Sequence, residues 1–195
     1  MVFYSTKINN FSYLCSVKDR KLLNFELGRL TPEQYITERS SSGIVLVLDN
    51  VRSAHNVGSA FRTADAFGVD KIYLGGICPV PPSPELHKVA LGAEEVVPSE
   101  HVADVVSLVH RLQAQGHTVV AVEQTVHSVK LDAFRRVPGG KYALIFGNEV
   151  DGVQQSVVDA ANFAVEIPQQ GTKHSLNVSV RVGVVLWGLL QAVDG

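Results

Sequence analysis

With 195 residues, 46% of them hydrophobic and 18% charged, the chain can build one well-packed core and a short appendage, and little else. Its formal net charge of −2 and pI near 6.4 disfavour a protein that coats nucleic acid through bulk charge, so an RNA partner would need local basic patches. No apolar run approaches the ~20 residues of a bilayer span, and the polar stretch 5–12 lacks a signal-peptide core, so a soluble cytoplasmic protein with no membrane partner is expected.

Residues 1–42 are more polar than the rest and read as a short helical N-terminal extension, with a first helix over 17–30. A second helix start is better marked, because Thr31 precedes Pro32 and Gln34 follows three residues on, as a capping box requires. The domain proper is expected over 43–195. In it, apolar runs at 44–48, 71–74, 119–122, 143–146 and 163–167 alternate with helical stretches at 57–67, 85–91, 102–115 and 154–160. Uniformly apolar strands rich in Val and Ile fit a parallel sheet covered on both faces. The alternation therefore predicts an α/β fold, a mostly parallel sheet with helices on both faces. Proline-rich 79–84 reads as a stiff loop. The last helix, 176–193, is apolar all round its axis, so one sheet cannot bury it. A second subunit is the natural cover and a homodimer is expected; cover by the N-terminal extension is the other reading.

Cys15 and Cys78 stand in no C-x-x-C and near no spaced histidine pair, so neither a disulfide framework nor a zinc site is expected. Seven scattered histidines show no ligand spacing, and no metal is expected. Basic patches are Lys18, Arg20 and Lys21, then Arg135 and Arg136, then Lys173; each is either a solvated face or an RNA contact.

Three loops gather small and polar residues at the carboxyl ends of predicted strands, where open α/β sheets place ligands. They are 49–58, leading into a helix that carries Arg62, then 147–152, then 167–177. Gly147 and Gly152 have the Walker A glycine spacing, but Val153 and Gln154 stand where Lys and Ser or Thr must bind phosphate and magnesium. No G-x-G-x-x-G follows the first strand, and there is no G-x-S-x-G elbow. Gly147 leaves backbone open to close ligand approach, and Gly152 and Gly171 allow sharp turns.

The ordered segments Asn56-x-Gly58-x3-Arg62-Thr63-Ala64, Phe146-Gly147-Asn148-Glu149-x-x-Gly152, and Ile167-Pro168 with Ser175-Leu176-Asn177-Val178-Ser179-Val180 resemble the three motifs of SpoU-type (TrmH-like) RNA 2′-O-ribose methyltransferases of the SPOUT superfamily. The resemblance spans about 44–193. It implies a C-terminal trefoil knot, the cofactor S-adenosylmethionine, and transfer of its methyl group to a ribose 2′-hydroxyl of a tRNA or rRNA. By the same resemblance Gly147, Ile167 and Leu176 lie against the cofactor, and Arg62 is nearest the reacting ribose. A guanidinium, which stays protonated in proteins, suits a phosphate clamp and oxyanion stabiliser better than a base. Its structural alternative is a salt bridge with Asp65 or Asp70. Glu149 is expected to orient Arg62 or an asparagine amide. Asn56, Ser175 and Asn177 are expected to position loop or ribose, with helix capping open for the last two. His174 is left out of the catalytic set, as a hydrogen-bonding or phosphate-contacting side chain.

Two residues depart from the pattern: Gln169 follows Ile-Pro where methionine is usual, and Arg181 stands where a small apolar residue is expected. Arg181 should have a carboxylate or phosphate partner, either an acid across the dimer interface or the RNA. Two further readings remain open: a fold-retaining RNA-binding protein without catalysis, and a SPOUT enzyme that methylates a base.

Overall fold

The computed structural model describes residues 20–172 and 175–191, so Cys15, Lys18, Lys173 and His174 lie outside the described residues. Of the predicted helix 17–30, the described part holds only a 3-10 turn, Asn24–Leu27, ended by Gly28 in the left-handed region at φ 58°. Leu22, Leu23 and Phe25 are exposed there, so no packing surface sustains a longer helix. The capping box forms as expected: Thr31 Oγ1 accepts from Gln34 N–H, Gln34 Oε1 accepts from Thr31 N–H, and helix α1 runs over Pro32–Glu38.

The domain that follows contains strands β1 (Ile44–Asp49), β2 (Lys71–Gly75), β3 (Ser99–Val102), β4 (His117–Val122), β5 (Val129–Lys130), β6 (Lys141–Gly147) and β7 (Phe163–Glu166). They form one sheet in the order β3-β2-β1-β6-β4-β7-β5, every pair parallel. Residue alternation divides the core into two layers. Ile44, Leu46, Leu48, Leu144 and Phe146 face one side with α2 (Ala54–Ala66), α3 (Pro84–Ala90) and α7 (Val178–Gln191). Val45, Val47, Val119, Ala143 and Ile145 face the other with α5 (Val105–Ala114) and α6 (Gln155–Ala160). Burying one such branched side chain stabilises the fold by roughly 1.5–3 kcal/mol, so the central strands β1, β6 and β4 are the anchor of the domain.

Several boundaries differ from expectation for local reasons. Helix α2 begins three residues early because Ser53 Oγ accepts from Asn56 N–H. The stretch 102–115 splits into the end of β3 and α5, because the Asp104 carboxylate caps Val106 and Ser107. After Gly92 at φ 91°, a short α4 (Ala93–Val96) follows α3. Loop 79–84 contains a cis Pro81–Pro82 bond. The segment entering β1 is fastened by Asp70, whose carboxylate accepts from Ser41 Oγ, Ser42 N–H and Gly43 N–H.

Helices α2 and α7 run side by side in the same direction. Asn177 meets Asn56 at one end, and Trp187 packs edge-on against Phe67 at the other, with ring centroids 6.5 Å apart. Val178, Val182, Val185, Leu186 and Leu189 are buried, whereas Val180, Val184 and Trp187 form an exposed stripe. The described part of the N-terminal segment leaves that stripe uncovered. No helix among the described residues is long and apolar enough to cross a membrane.

Candidate active site

The site is built at the carboxyl ends of β1, β6, β4 and β7. Asp49, the last residue of β1, is fully buried. Its carboxylate accepts from Gln154 N–H, Gln154 Nε2 and Asn50 Nδ2, which ties the loop after β6 to β1. Sequence reasoning placed Asp49 in the first loop but gave it no role; nothing in the pattern announces a partner 105 residues away.

The 147–153 loop closes on itself. Asn148 Oδ1 accepts from Val150 and Asp151 N–H, Asn148 O accepts from Gly152 N–H, and Gly152 turns at φ 70°. A Cβ at Gly147 would lie 1.9 Å from the Gly152 carbonyl carbon. The chain's own loop therefore packs against Gly147 on its Cβ side, which requires glycine there. Gly171 lies in a bend without a left-handed φ and has open space where a Cβ would sit, so the turn there does not require glycine.

Three of the candidate residues meet although they come from separate motifs. Asn56 Nδ2 donates to Glu149 Oε1 in a short contact, and Asn177 Nδ2 donates to Asn56 Oδ1 at 3.2 Å. Glu149 thus orients an asparagine amide, one of its two expected roles. Asn177 also caps α7, its Oδ1 accepting from Ser179 N–H and Oγ. Ser175 is exposed and lines a small cavity of about 30 Å³ with Val122, Glu123, Ile167, Gln169 and Arg181. Leu176 is half-buried and does not line this cavity, and Gly147 reaches it only through Arg181.

Arg62 stands apart. It is six residues beyond Asn56 on α2, about 9 Å along the axis and on another face, and it lines a different and larger cavity. Neither expected salt bridge forms: Asp70 binds the segment before β1, and Arg62 has no hydrogen bond or ion pair among the described residues.

Arg181 finds its carboxylate within its own chain, which corrects the expected partner across an interface. Its Nη2 donates to Gly147 O at 2.9 Å, and its Nη1 lies 3.7 Å from Glu123 Oε2. Glu123 Oε2 in turn accepts from Val153 N–H. Burial lowers the Arg181 guanidinium from its usual value, while Glu123 and Glu149 act in the opposite sense. Glu123 escaped sequence reasoning because its value lies in this contact, 58 residues from Arg181. Arg181→Ala should cost about 1.5–3 kcal/mol, the worth of a charge-assisted hydrogen bond left unpaired. Urea unfolding should show a loss independent of protein concentration; a loss that disappears on dilution would restore the intersubunit reading.

The basic patches resolve in part. Arg136 Nη2 donates to Ser42 O and Arg135 Nη1 to Asp132 O, so both act on the chain's own backbone. Arg20 pairs with Glu26. Cys78 is buried, with its thiol donating to Leu48 O and pushed up to about 12 by burial, which makes it a core residue and no nucleophile. The exposed His87 ring meets the largely covered Glu94 carboxylate in a short contact, an ion pair when the imidazole is protonated.

Comparison with known proteins identifies the family. The family model described as SpoU rRNA methylase matches residues 43–187. The 23S rRNA (guanosine-2′-O-)-methyltransferase RlmB of Pseudomonas putida is 32% identical over 160 residues, 82% of this chain and 63% of that protein. The chain thus spans just under two thirds of that relative's length. The RlmB of Vibrio vulnificus is 32% identical over 83% of this chain and 67% of its own. Among solved structures, the A. aeolicus TrmH/SpoU tRNA modifying enzyme matches with TM-score 0.71 and 27% identity over 80% of this chain and 77% of its own. The AdoMet-bound rRNA methyltransferase from Sinorhizobium meliloti matches with TM-score 0.72 and 27% identity over 80% and 59%. The chain belongs to the SpoU rRNA methylase family.

Proposed function

We propose that the chain transfers a methyl group from S-adenosylmethionine to a ribose 2′-hydroxyl of a structured RNA, tRNA or rRNA, as a cytoplasmic homodimer. The observation that carries this reading is the convergence of Asn56, Glu149 and Asn177, one from each motif, beside the cavity of Ile167 and Ser175. We take 43–195 as the methyltransferase domain and 1–42 as an extension. A C-terminal trefoil knot belongs to the same reading, and the return of the chain from β7, one strand in from the edge, to α7, where Arg181 reaches back to Gly147, supports it.

The residues present suit the cofactor. Val122, Val165 and Ile167 offer an apolar wall for a purine, Glu123, Gln169 and Ser175 offer donors and acceptors for ribose, and Arg181 Nε is a buried N–H without a partner. A cavity of about 30 Å³ is smaller than a nucleoside, so binding requires the neighbouring 167–172 and 175–177 stretches to move outward. When bound, S-adenosylmethionine supplies an electrophilic methyl group on a sulfonium, for a displacement that needs alignment and loss of one hydroxyl proton. Asn56, clamped between Glu149 and Asn177, fixes the relative position of the three loops. Arg62 holds RNA phosphate and stabilises oxyanion character; the proton leaves to a group other than this guanidinium.

The Val180, Val184 and Trp187 stripe supports the dimer. Trp187→Glu should give a monomer in sedimentation at low micromolar concentration and lose methylation with it. A wild-type monomer that is stable and active at that concentration would contradict the dimer. The reading as a whole is tested by calorimetry with S-adenosylmethionine and by labelled methyl transfer to RNA from cells lacking the gene. Binding and transfer are expected together. RNA binding without cofactor binding would favour a non-catalytic protein.

A further inference from the structure

Arg62 lines a cavity of about 610 Å³ whose far wall is the N-terminal segment. Arg29 and Leu30 come from the stretch before α1 and Tyr35 from α1, facing Asp65 on α2 and Leu91 after α3. The family model begins at residue 43, so this wall precedes the segment that the model matches. The volume lies in the range of small-molecule and cofactor sites, ~300–1,000 Å³.

The lining is chemically specific. Two guanidiniums, Arg29 and Arg62, face it with one nearby acid, Asp65. Burial raises the Asp65 carboxyl, and the charge of Arg29 draws it back down. Arg62 carries no protein partner among the described residues. The Tyr35 hydroxyl is buried and makes no hydrogen bond, a condition that in a native protein calls for an explanation. Leu30 and Leu91 are large apolar side chains left exposed, and they flank the same space. Cations for a phosphate, an unpartnered hydroxyl and apolar surface for a base together suit one nucleotide unit.

We infer that this cavity seats an RNA nucleotide of the substrate, with Arg29 on a phosphate and the Tyr35 side chain turning its unpartnered hydroxyl onto the base or sugar. The inference rests on the reading of the chain as an RNA methyltransferase whose Arg62 acts on RNA. It gives the N-terminal segment a task, supplying substrate-binding residues to a pocket whose other walls are α2 and residues 90–96.

The test uses the full chain and total RNA from cells lacking the gene, with binding measured by filter retention between 50 and 200 mM salt. Arg29→Ala should weaken RNA binding about tenfold and reduce the salt slope by about 0.7–0.9, one phosphate contact. Arg29→Lys should recover part of both. Tyr35→Phe should weaken RNA binding several-fold while leaving the melting temperature unchanged or higher, because it removes only an unpartnered hydroxyl. S-adenosylmethionine affinity should be unchanged in all three. Wild-type RNA affinity in both Arg29→Ala and Tyr35→Phe would overturn the inference, as would a lower melting temperature in Tyr35→Phe with RNA affinity intact. Arg62→Ala separates the two levels. If it keeps full turnover while Arg29→Ala and Tyr35→Phe lose RNA affinity, the pocket stands and the catalytic role of Arg62 falls.

Discussion

Arg62→Ala is expected to lower methyl transfer by at least about 10²-fold, the usual consequence of removing one donor to a developing oxyanion, while S-adenosylmethionine still binds. The expectation follows from placement. Arg62 lies outside the cavity formed by Ile167, Ser175 and Arg181, and no contact links it to Glu149. Its loss therefore cannot loosen the cofactor loops through a broken hydrogen bond. Arg62→Lys should fail as well, because an ammonium lacks the planar fork that grips phosphate in two places. Calorimetry with the cofactor and labelled transfer to RNA, run on the same preparation, separate the two effects. Near-normal turnover in Arg62→Ala would remove the residue from the reaction.

Gly147→Ala should be strongly destabilising although it adds a single methyl group. The added carbon would fall 1.9 Å from one backbone atom of Gly152 and 2.1 Å from the nitrogen of Val153. Neither neighbour is the end of a flexible side chain, so the loop must open. That would displace Gly147 O from Arg181 and Gln154 N–H from Asp49. A loss of at least about 3 kcal/mol is expected, at the upper end of overpacking effects. In a domain of this size it lowers the melting temperature by about 6–12 °C. Gly171→Ala is the control: its Cβ enters open space at an ordinary φ, and stability should stay within about 0.5 kcal/mol. Equal melting temperatures for the two variants would show that the loop crossing at Gly147 is not as tight as described.

The parts legible in the sequence were those with a local signature. Ile44–Asp49 and Lys141–Gly147 are apolar at nearly every position, which only a strand buried on both faces requires, and both are central. Ser99–Val102 was missed because an edge strand with exposed Ser99 and His101 resembles a loop, and Val129–Lys130 is too short to show any period. The site residues were legible through resemblance, motif by motif, but their arrangement was not. Asn56 and Glu149 are 93 residues apart, and nothing local says that one amide joins them. Arg181 was legible as a buried cation needing a partner; that Glu123 is this partner depends on β4 ending beside α7. The cavity behind Arg62 was invisible for the same reason, since its walls come from residues 29–35 and 90–96 as well as α2.

The central claim is tested most directly by nucleoside mass spectrometry of tRNA and rRNA from cells lacking the gene, complemented with wild-type chain or with Arg62→Ala. One 2′-O-methylated nucleotide should vanish on deletion, return with the wild type and stay absent with the variant. An unchanged set of 2′-O-methylated nucleotides, or the loss of a base-methylated one alone, would contradict the account.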